Sequence, residues 1–381
     1  MNNRVNSVLP AVTLVLVAAL VALFALYVLE KAKDDRTSVT SHSNQSLDER
    51  FNGQEYSWTM VTSWPKNLPG LGVAAENLAR SINEMSGGRI HVRVHGADEI
   101  VPALGVFDAV SSGSVEMGHT SAYYWKGKIP AAQFFTSVPF GMNAQEMNGW
   151  LFYGGGIDLW RELYDPFNLV PFPAGNTGVQ MAGWFSREVN SVADLKGLKM
   201  RIPGLGGEVF NRAGGTAVTI PGGELYTAMQ TGLIDATEWV GPYNDVAFGL
   251  HKVAKYYYYP GWQEPGPTLE LIINKKAYES LPTDLQLIVE NAARAVNQDM
   301  LDEYTARNNR ALQQLKLDNN IEIRRLPDDV IARLREVSLE IYAETAAADP
   351  AFKKVYDAYR SFSEQVSEYH EISEQAYYDL R

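Results

Sequence analysis

Between residues 56 and 119 the spacing of apolar side chains changes period four times, and that rhythm narrows the fold more than any other feature of the chain. Residues 56–63 alternate aromatic or β-branched residues with polar ones, the period of a strand. Residues 72–85 place Val73, Ala74, Leu78, Ile82 and Met85 at helical spacing and stop at Ser86-Gly-Gly88. Residues 89–95 alternate again, 103–112 read as helix, and 116–119 as a short strand. Strand, helix, strand, helix, strand predicts βαβ units with helices packed on a parallel sheet. The middle of the chain repeats the style, with strands over 180–185, 198–202, 217–220, 256–259 and 268–273 and helices over 207–213 and 223–231. Long helical stretches follow at 284–315 and 327–346. Residues 349–381 then carry Phe352, Val355, Tyr359 and Phe362 at helical intervals after both halves are complete.

The chain has 381 residues, enough for two lobes of ordinary domain size, and its 46% hydrophobic and 20% charged residues are those of a globular protein. A formal charge of -12 argues against a nucleic-acid surface. The absence of cysteine excludes disulfides, thiolate metal sites and cysteine nucleophiles. Residues 11–29 hold no charge and, at about 1.5 Å per helical residue, roughly span a bilayer's hydrocarbon. Arg4 precedes this run and Glu30-Lys-Ala-Lys-Asp-Asp-Arg36 follows it, so the flanks orient it weakly. A cleaved signal peptide and a retained anchor both fit residues 1–30. The length of the run and its Tyr27-Val-Leu29 end favour the anchor, and either one exports the remainder. Residues 31–54 read as a flexible linker, 55–348 as the two-lobed α/β body and 349–381 as a C-terminal helix that docks on another subunit.

Two segments carry the chemistry. Leu198-Lys-Met-Arg201-Ile-Pro places one arginine at the end of an apolar run, and Asp235-Ala-Thr-Glu238-Trp239-Val-Gly-Pro242 ends another on a carboxylate and an indole. A guanidinium grips a carboxylate with two prongs. The bland alternative for Arg201 is an internal ion pair, and for Glu238 a surface acid after a strand. Other signals fail. His91 and His95 share a strand face without a patterned carboxylate. Pro203-Gly-Leu-Gly-Gly207 lacks the residues of a phosphate loop, and no serine sits in a Gly-x-Ser-x-Gly elbow. A secreted metal-dependent enzyme using Glu238 as base is the rival reading, and it lacks a second patterned acid, base or nucleophile.

Gly118-His-Thr-Ser-Ala-Tyr-Tyr-Trp-Lys-Gly-Lys-Ile-Pro130, Val138-Pro-Phe-Gly141 and Ala174-Gly-Asn-Thr-Gly-Val-Gln-Met-Ala-Gly-Trp-Phe185 resemble the extracytoplasmic solute receptors of TRAP transporters, the DctP family. So do Asp194-Leu-Lys-Gly-Leu-Lys-Met-Arg-Ile-Pro-Gly-Leu-Gly-Gly207, the Asp235 to Pro242 segment and Tyr259-Pro-Gly-Trp-Gln-Glu-Pro265. The likeness runs from about residue 56 to the end and is greatest to the branch that binds 2-oxo and 2-hydroxy monocarboxylates such as pyruvate or lactate. It implies a periplasmic binding protein fold, two α/β lobes that hinge over the ligand, with a C-terminal helix exchanged in a homodimer. It implies no catalysis and delivery of the acid to membrane permease subunits. It also implies that Arg201 clamps the ligand carboxylate, while a sodium or calcium ion bridges ligand and protein through Gln180, Glu238 and the Trp239 carbonyl. Among the aromatic residues, Tyr123, Tyr124 and Trp262 flank turns and are expected as pocket walls. Asn176 is expected to donate a hydrogen bond to the ligand. Glu264 reads equally as a support for the site or as a turn residue. The long N-terminal apolar run departs from the family pattern and leaves a tethered or a freely diffusing receptor open.

Overall fold

A computed structural model describes residues 54–381, so the N-terminal apolar run and most of the linker lie outside the described residues. No helix among the described residues is long and apolar enough to cross a membrane. Lobe 1 is built on β1 (Tyr56–Thr62), β2 (Ile90–His95), β3 (Met117–Thr120) and β4 (Leu169–Asn176). Lobe 2 is built on β5 (Gly183–Phe185), β6 (Lys199–Arg201), β7 (Thr216–Val218), β8 (Ala236–Thr237) and β9 (Tyr256–Tyr259). The chain then returns to lobe 1 as β10 (Thr268–Asn274) and to lobe 2 as β11 (Glu322–Arg325).

The first sheet has the order β2-β1-β3-β10-β4, the second β11-β9-β5-β8-β6-β7. The βαβ reading holds where its periodicity is strongest: β1 runs parallel to both β2 and β3, with the helix Leu71–Met85 crossing between the first two. Both sheets are nevertheless mixed. β10 is antiparallel to β3 and β4, and β5 is antiparallel to β8 and β9, because each of these strands enters its sheet from the other lobe.

The two crossing segments, 177–182 and 260–267, run side by side. Thr177 N–H donates to the Pro267 carbonyl at 3.2 Å and Gln180 N–H to the Glu264 carbonyl at 3.1 Å. This pairing shortens the strand expected over 180–185 to Gly183–Phe185, since Gln180 bonds across the hinge before β5 begins. The helix Thr283–Leu315 lies along the same junction. It buries Leu285, Val289, Ala292, Val296, Met300 and Tyr304 as one stripe, the spacing of a single apolar helix face. Its Asn297 accepts the Gly175 N–H at 3.2 Å.

The late helix begins at Pro350, capped by the Asp349 carboxylate on the N–H groups of Ala351 and Phe352. Its stripe of Phe352, Val355 and Tyr359 is buried on its own chain, where Phe352 meets Phe134 and Tyr359 meets Trp150 edge-on at 5.1 Å. Beyond His370 the apolar side chains Ile372, Tyr377, Tyr378 and Leu380 are exposed.

Candidate binding site between the lobes

β6 and β8 are parallel neighbours with Arg201 opposite Thr237, so the next residue, Glu238, emerges at the strand ends beside Arg201. Both side chains are fully buried, at 1% and 0% exposure. Sequence reasoning expects Arg201 to find its counter-anion in the ligand, with Glu238 reserved for a cation. In the structure Arg201 Nη1 bonds Glu238 Oε1 directly, the internal ion pair that the sequence leaves as the alternative for Arg201. The register explains the contact, since adjacent strand ends leave the two groups no separation. The rest of the guanidinium is held as well. Nε donates to the Ile220 carbonyl at 3.2 Å, Nη1 to the Glu238 carbonyl at 3.3 Å and Nη2 to the Tyr124 hydroxyl at 3.4 Å. The Trp239 ring lies 5.1 Å from the guanidinium carbon, a cation–π distance.

Around this pair sit three oxygens with no hydrogen-bond partner: Gln180 Oε1, Glu238 Oε2 and Glu264 Oε2. A buried acceptor left unpaired costs about 1–3 kcal/mol, and these three come from one locality, with Glu264 facing Glu238, Arg201, Tyr123 and Gln180. Carboxylate and amide oxygens are the donors that sodium and calcium take, so the residues present fit a hard cation. Glu238, Gln180 and the Trp239 carbonyl are the groups that would hold it.

The electrostatics point the same way. Burial pushes the Glu238 carboxyl up against the pull of Arg201, and the nearby Asp245 adds to the rise. Burial also carries Glu264 well above the usual carboxylate range, with Glu238 adding and Arg201 opposing. Burial alone lowers Arg201, but Glu238 and the neighbouring acids reverse this and keep it charged. Arg201 is thus ion-paired with Glu238, while Glu264 is held toward its neutral form. Tyr123 and Tyr124 are both shifted upward, by burial first, and remain neutral hydroxyls.

Glycine makes the assembly possible at two points. Gly204 has φ +63 and sits so close to Tyr123 that an added Cβ would lie 3.2 Å from the tyrosine Cβ, which brings lobe 2 onto lobe 1. A side chain on Gly261 would collide with the carbonyl of Gln180.

Arg201, Glu238, Trp239, Gln180, Tyr123, Tyr124 and Glu264 therefore converge. Asn176 does not bring its amide to them. Its Oδ1 accepts the Gly178 N–H at 2.8 Å, and its Nδ2 donates to the Gly266 carbonyl and the Thr268 hydroxyl, closing the hinge. Trp262 packs on Phe140 of lobe 1 with ring centroids 5.9 Å apart. Three residues at or near the site escape sequence reasoning. Gln263 donates to the Met181 carbonyl at 2.9 Å with its Oε1 unpartnered, and Gln133 Oε1 is likewise unpartnered beside Gly204. Asp245 lies under the Glu238–Gly241 stretch. Gln263 stands inside the Tyr259-Pro-Gly-Trp-Gln-Glu-Pro265 motif, which was signal enough; the other two had none. His95 pairs with Glu99 at 3.3 Å, and the described residues hold no cluster of three His, Cys, Asp or Glu side chains placed for a metal.

A buried guanidinium beside unpartnered carboxylate and amide oxygens suits an anion and a hard cation held together. The profile of the bacterial extracellular solute-binding proteins, family 7 (DctP), matches residues 60–349. The chain belongs to this family, the solute receptors of TRAP transporters. A monocarboxylate 2-oxoacid-binding periplasmic protein of Nostoc sp. is 47% identical over 320 residues, covering 84% of this chain and 87% of the relative. A TRAP periplasmic solute-binding protein of Pseudoalteromonas atlantica, solved with bound sodium and pyruvate, superposes with a TM-score of 0.83. It is 45% identical, covering 86% of this chain and 99% of that one. A Colwellia psychrerythraea receptor with bound calcium and pyruvate gives 0.84 at 44% identity, covering 86% and 100%.

Proposed function

We propose that the protein captures a small 2-oxo or 2-hydroxy monocarboxylate, pyruvate being the reference ligand, together with a sodium or calcium ion. One observation carries the reading: three buried, unpartnered oxygens, from Gln180, Glu238 and Glu264, lie about a buried arginine whose charge is already met by Glu238. Adding a monoanion to such a cluster needs further positive charge, and the cation supplies it while bridging ligand and protein. Arg201 clamps the ligand carboxylate through Nη1 and Nη2, and this requires Glu238 to give up its hold on Nη1. The acid and the cation therefore bind cooperatively, since Glu238 is released from Arg201 only when its charge is met elsewhere. Tyr123, Tyr124 and Trp239 wall the pocket and exclude water, and the paired crossing segments form the hinge. The named ligands of the Nostoc, Pseudoalteromonas and Colwellia relatives support this reading.

The receptor works in the periplasm, delivers the acid unchanged to membrane permease subunits, and is held to the inner membrane by residues 11–29. It dimerises through its C-terminal helix, whose exposed Ile372, Tyr377, Tyr378 and Leu380 extend beyond the stripe docked on its own chain. A related receptor from Bordetella bronchiseptica, 38% identical, is described as a dimer with calcium and picolinate bound. The deciding experiment is calorimetry of pyruvate binding with sodium, with calcium and after chelation into a cation-free buffer. Micromolar affinity, about 8 kcal/mol, that collapses without either ion is the expected result; equal affinity in all three overturns the bridging cation. Recovery of intact pyruvate from the complex separates a receptor from an enzyme.

A further inference from the structure

We infer that Asp245 is the positioning residue of the cation site, setting the direction of the Trp239 carbonyl by holding the peptide that follows it. This rests on the reading of that carbonyl as a cation ligand. Asp245 lies in the short helix Pro242–Ala247 and is 1% exposed. Its Oδ1 accepts the backbone N–H groups of Val240 at 3.3 Å and Gly241 at 3.1 Å. Its Oδ2 accepts the Trp184 indole N–H at 3.0 Å and the Tyr257 hydroxyl at 2.7 Å. Those two rings stack on neighbouring strands, with centroids 4.0 Å apart and planes at 16°, so the second oxygen is fixed to the sheet of lobe 2.

The consequence for the site follows from peptide planarity. In a trans peptide the N–H of Val240 and the C=O of Trp239 point in opposite directions. Drawing the N–H toward Asp245 turns the carbonyl away from it. The same Val240 is fixed at its other end, because its carbonyl accepts the Met181 N–H at 3.1 Å, one residue from Gln180. Asp245 thus anchors the stretch that carries Glu238 and Trp239, and through Val240 it registers that stretch against Gln180. Outer groups of this kind commonly fix the direction of metal ligands.

Four donors converge on Asp245, and only a carboxylate accepts from all of them. Asparagine keeps the shape but turns an NH2 group either toward the Trp184 indole N–H or toward the two backbone N–H groups. The test titrates sodium chloride or calcium chloride at fixed pyruvate, following tryptophan fluorescence, in wild type, Asp245→Asn and Trp184→Phe. Thermal unfolding of each protein runs in parallel. Asp245→Asn is expected to raise the half-saturating cation concentration at least tenfold, with pyruvate affinity restored to within threefold at saturating cation. A residue that served only stability would not produce that cation-specific rescue. Trp184→Phe, which removes one of the four donors, is expected to shift the midpoint two- to fourfold in the same direction, and it decides the matter if Asp245→Asn does not fold. An unshifted midpoint in the folded variants, with wild type still cation-dependent, overturns this inference alone. A wild type whose pyruvate affinity ignores both ions overturns the cation site and this inference together.

Discussion

Glu270 in lobe 1 and Glu238 between the lobes are both wholly buried carboxylates, and they solve the problem of burial in opposite ways. Glu270 accepts the Trp125 indole N–H at 2.7 Å on one oxygen and the Tyr164 hydroxyl at 2.9 Å on the other. Each of its two oxygens thus has a donor from within the fold. Glu238 has one oxygen on Arg201 and leaves the other unpartnered, beside unpartnered oxygens of Gln180 and Glu264. A closed set of donors belongs to the architecture of a lobe. An open set of acceptor oxygens gathered beside a buried arginine is what the proposed ion and acid would complete.

The strongest way to break the contrast is to remove Arg201. Arg201→Ala leaves Glu238 without its counter-charge and the ligand without its clamp. The expected loss in pyruvate affinity is about 3–5 kcal/mol, read by calorimetry at saturating cation. Near-normal affinity would place Arg201 on the architectural side, with Glu270.

Glu270→Gln tests the other side. Burial raises the Glu270 carboxyl to about 7 against the lowering effect of its two donors, compared with about 4.3 in the unfolded chain. A carboxyl raised on folding contributes stability that is present below the unfolded value and lost as pH climbs through the folded one. The difference in unfolding free energy between wild type and Glu270→Gln should therefore move in favour of the variant from about pH 4 to pH 8. The total shift is about 3 kcal/mol. Glutamine retains an acceptor for Trp125 and offers a donor to the Tyr164 oxygen, so pyruvate affinity in this variant should stay within twofold. Denaturant titrations across that pH range, with calorimetry at one pH, read both halves; a flat difference would mean that Glu270 does not change its charge there.

Gly261→Ala is the next step down. Its methyl group meets the Gln180 carbonyl, so the crossing segment must shift and carry the Gln180 amide with it. A loss of about tenfold in cation-dependent affinity, roughly 1.4 kcal/mol, is expected. The lobe 1 control Gly127→Ala, which has open space around it, should show none. Equal effects would erase the distinction between the site and its scaffold.

What the sequence discloses and what it hides divide along physical lines. The helix Leu71–Met85, the strands β1, β2 and β3 and the long helix from Thr283 are legible because local periodicity and glycine stops decide them. The antiparallel entry of β10 is not, since its partners β3 and β4 lie about a hundred residues or more away and nothing local encodes their direction. In the site, the identities of Arg201, Glu238, Trp239 and Gln180 are legible as motif positions. Their pairing is not, because the Arg201–Glu238 contact follows from the register of β6 on β8. Asn176 is instructive. Asn176-Thr-Gly178 is the pattern of an asparagine side chain closing a turn on its own backbone, and the structure uses it so. Asp245 offers no such signal, as Trp184 and Tyr257 reach it from separate strands.

The finest test concerns Tyr124, whose hydroxyl takes Arg201 Nη2 at 3.4 Å. The contact is long, and it is the hydrogen bond by which the arginine of lobe 2 reaches lobe 1. Tyr124→Phe keeps the ring that packs edge-on against Tyr123 at 4.8 Å and removes only that hydroxyl. A single neutral acceptor on a charged donor at this distance is worth about 0.5–1 kcal/mol, so pyruvate should bind two- to fivefold more weakly. Because the bond bridges the lobes, the change should fall on the dissociation rate, as reopening rather than encounter is what the hydroxyl resists. Stopped-flow fluorescence separates the two rates. A loss confined to association would move Tyr124 from the closure contact to the entrance of the cleft, and the hold of lobe 1 on Arg201 would then rest on packing alone.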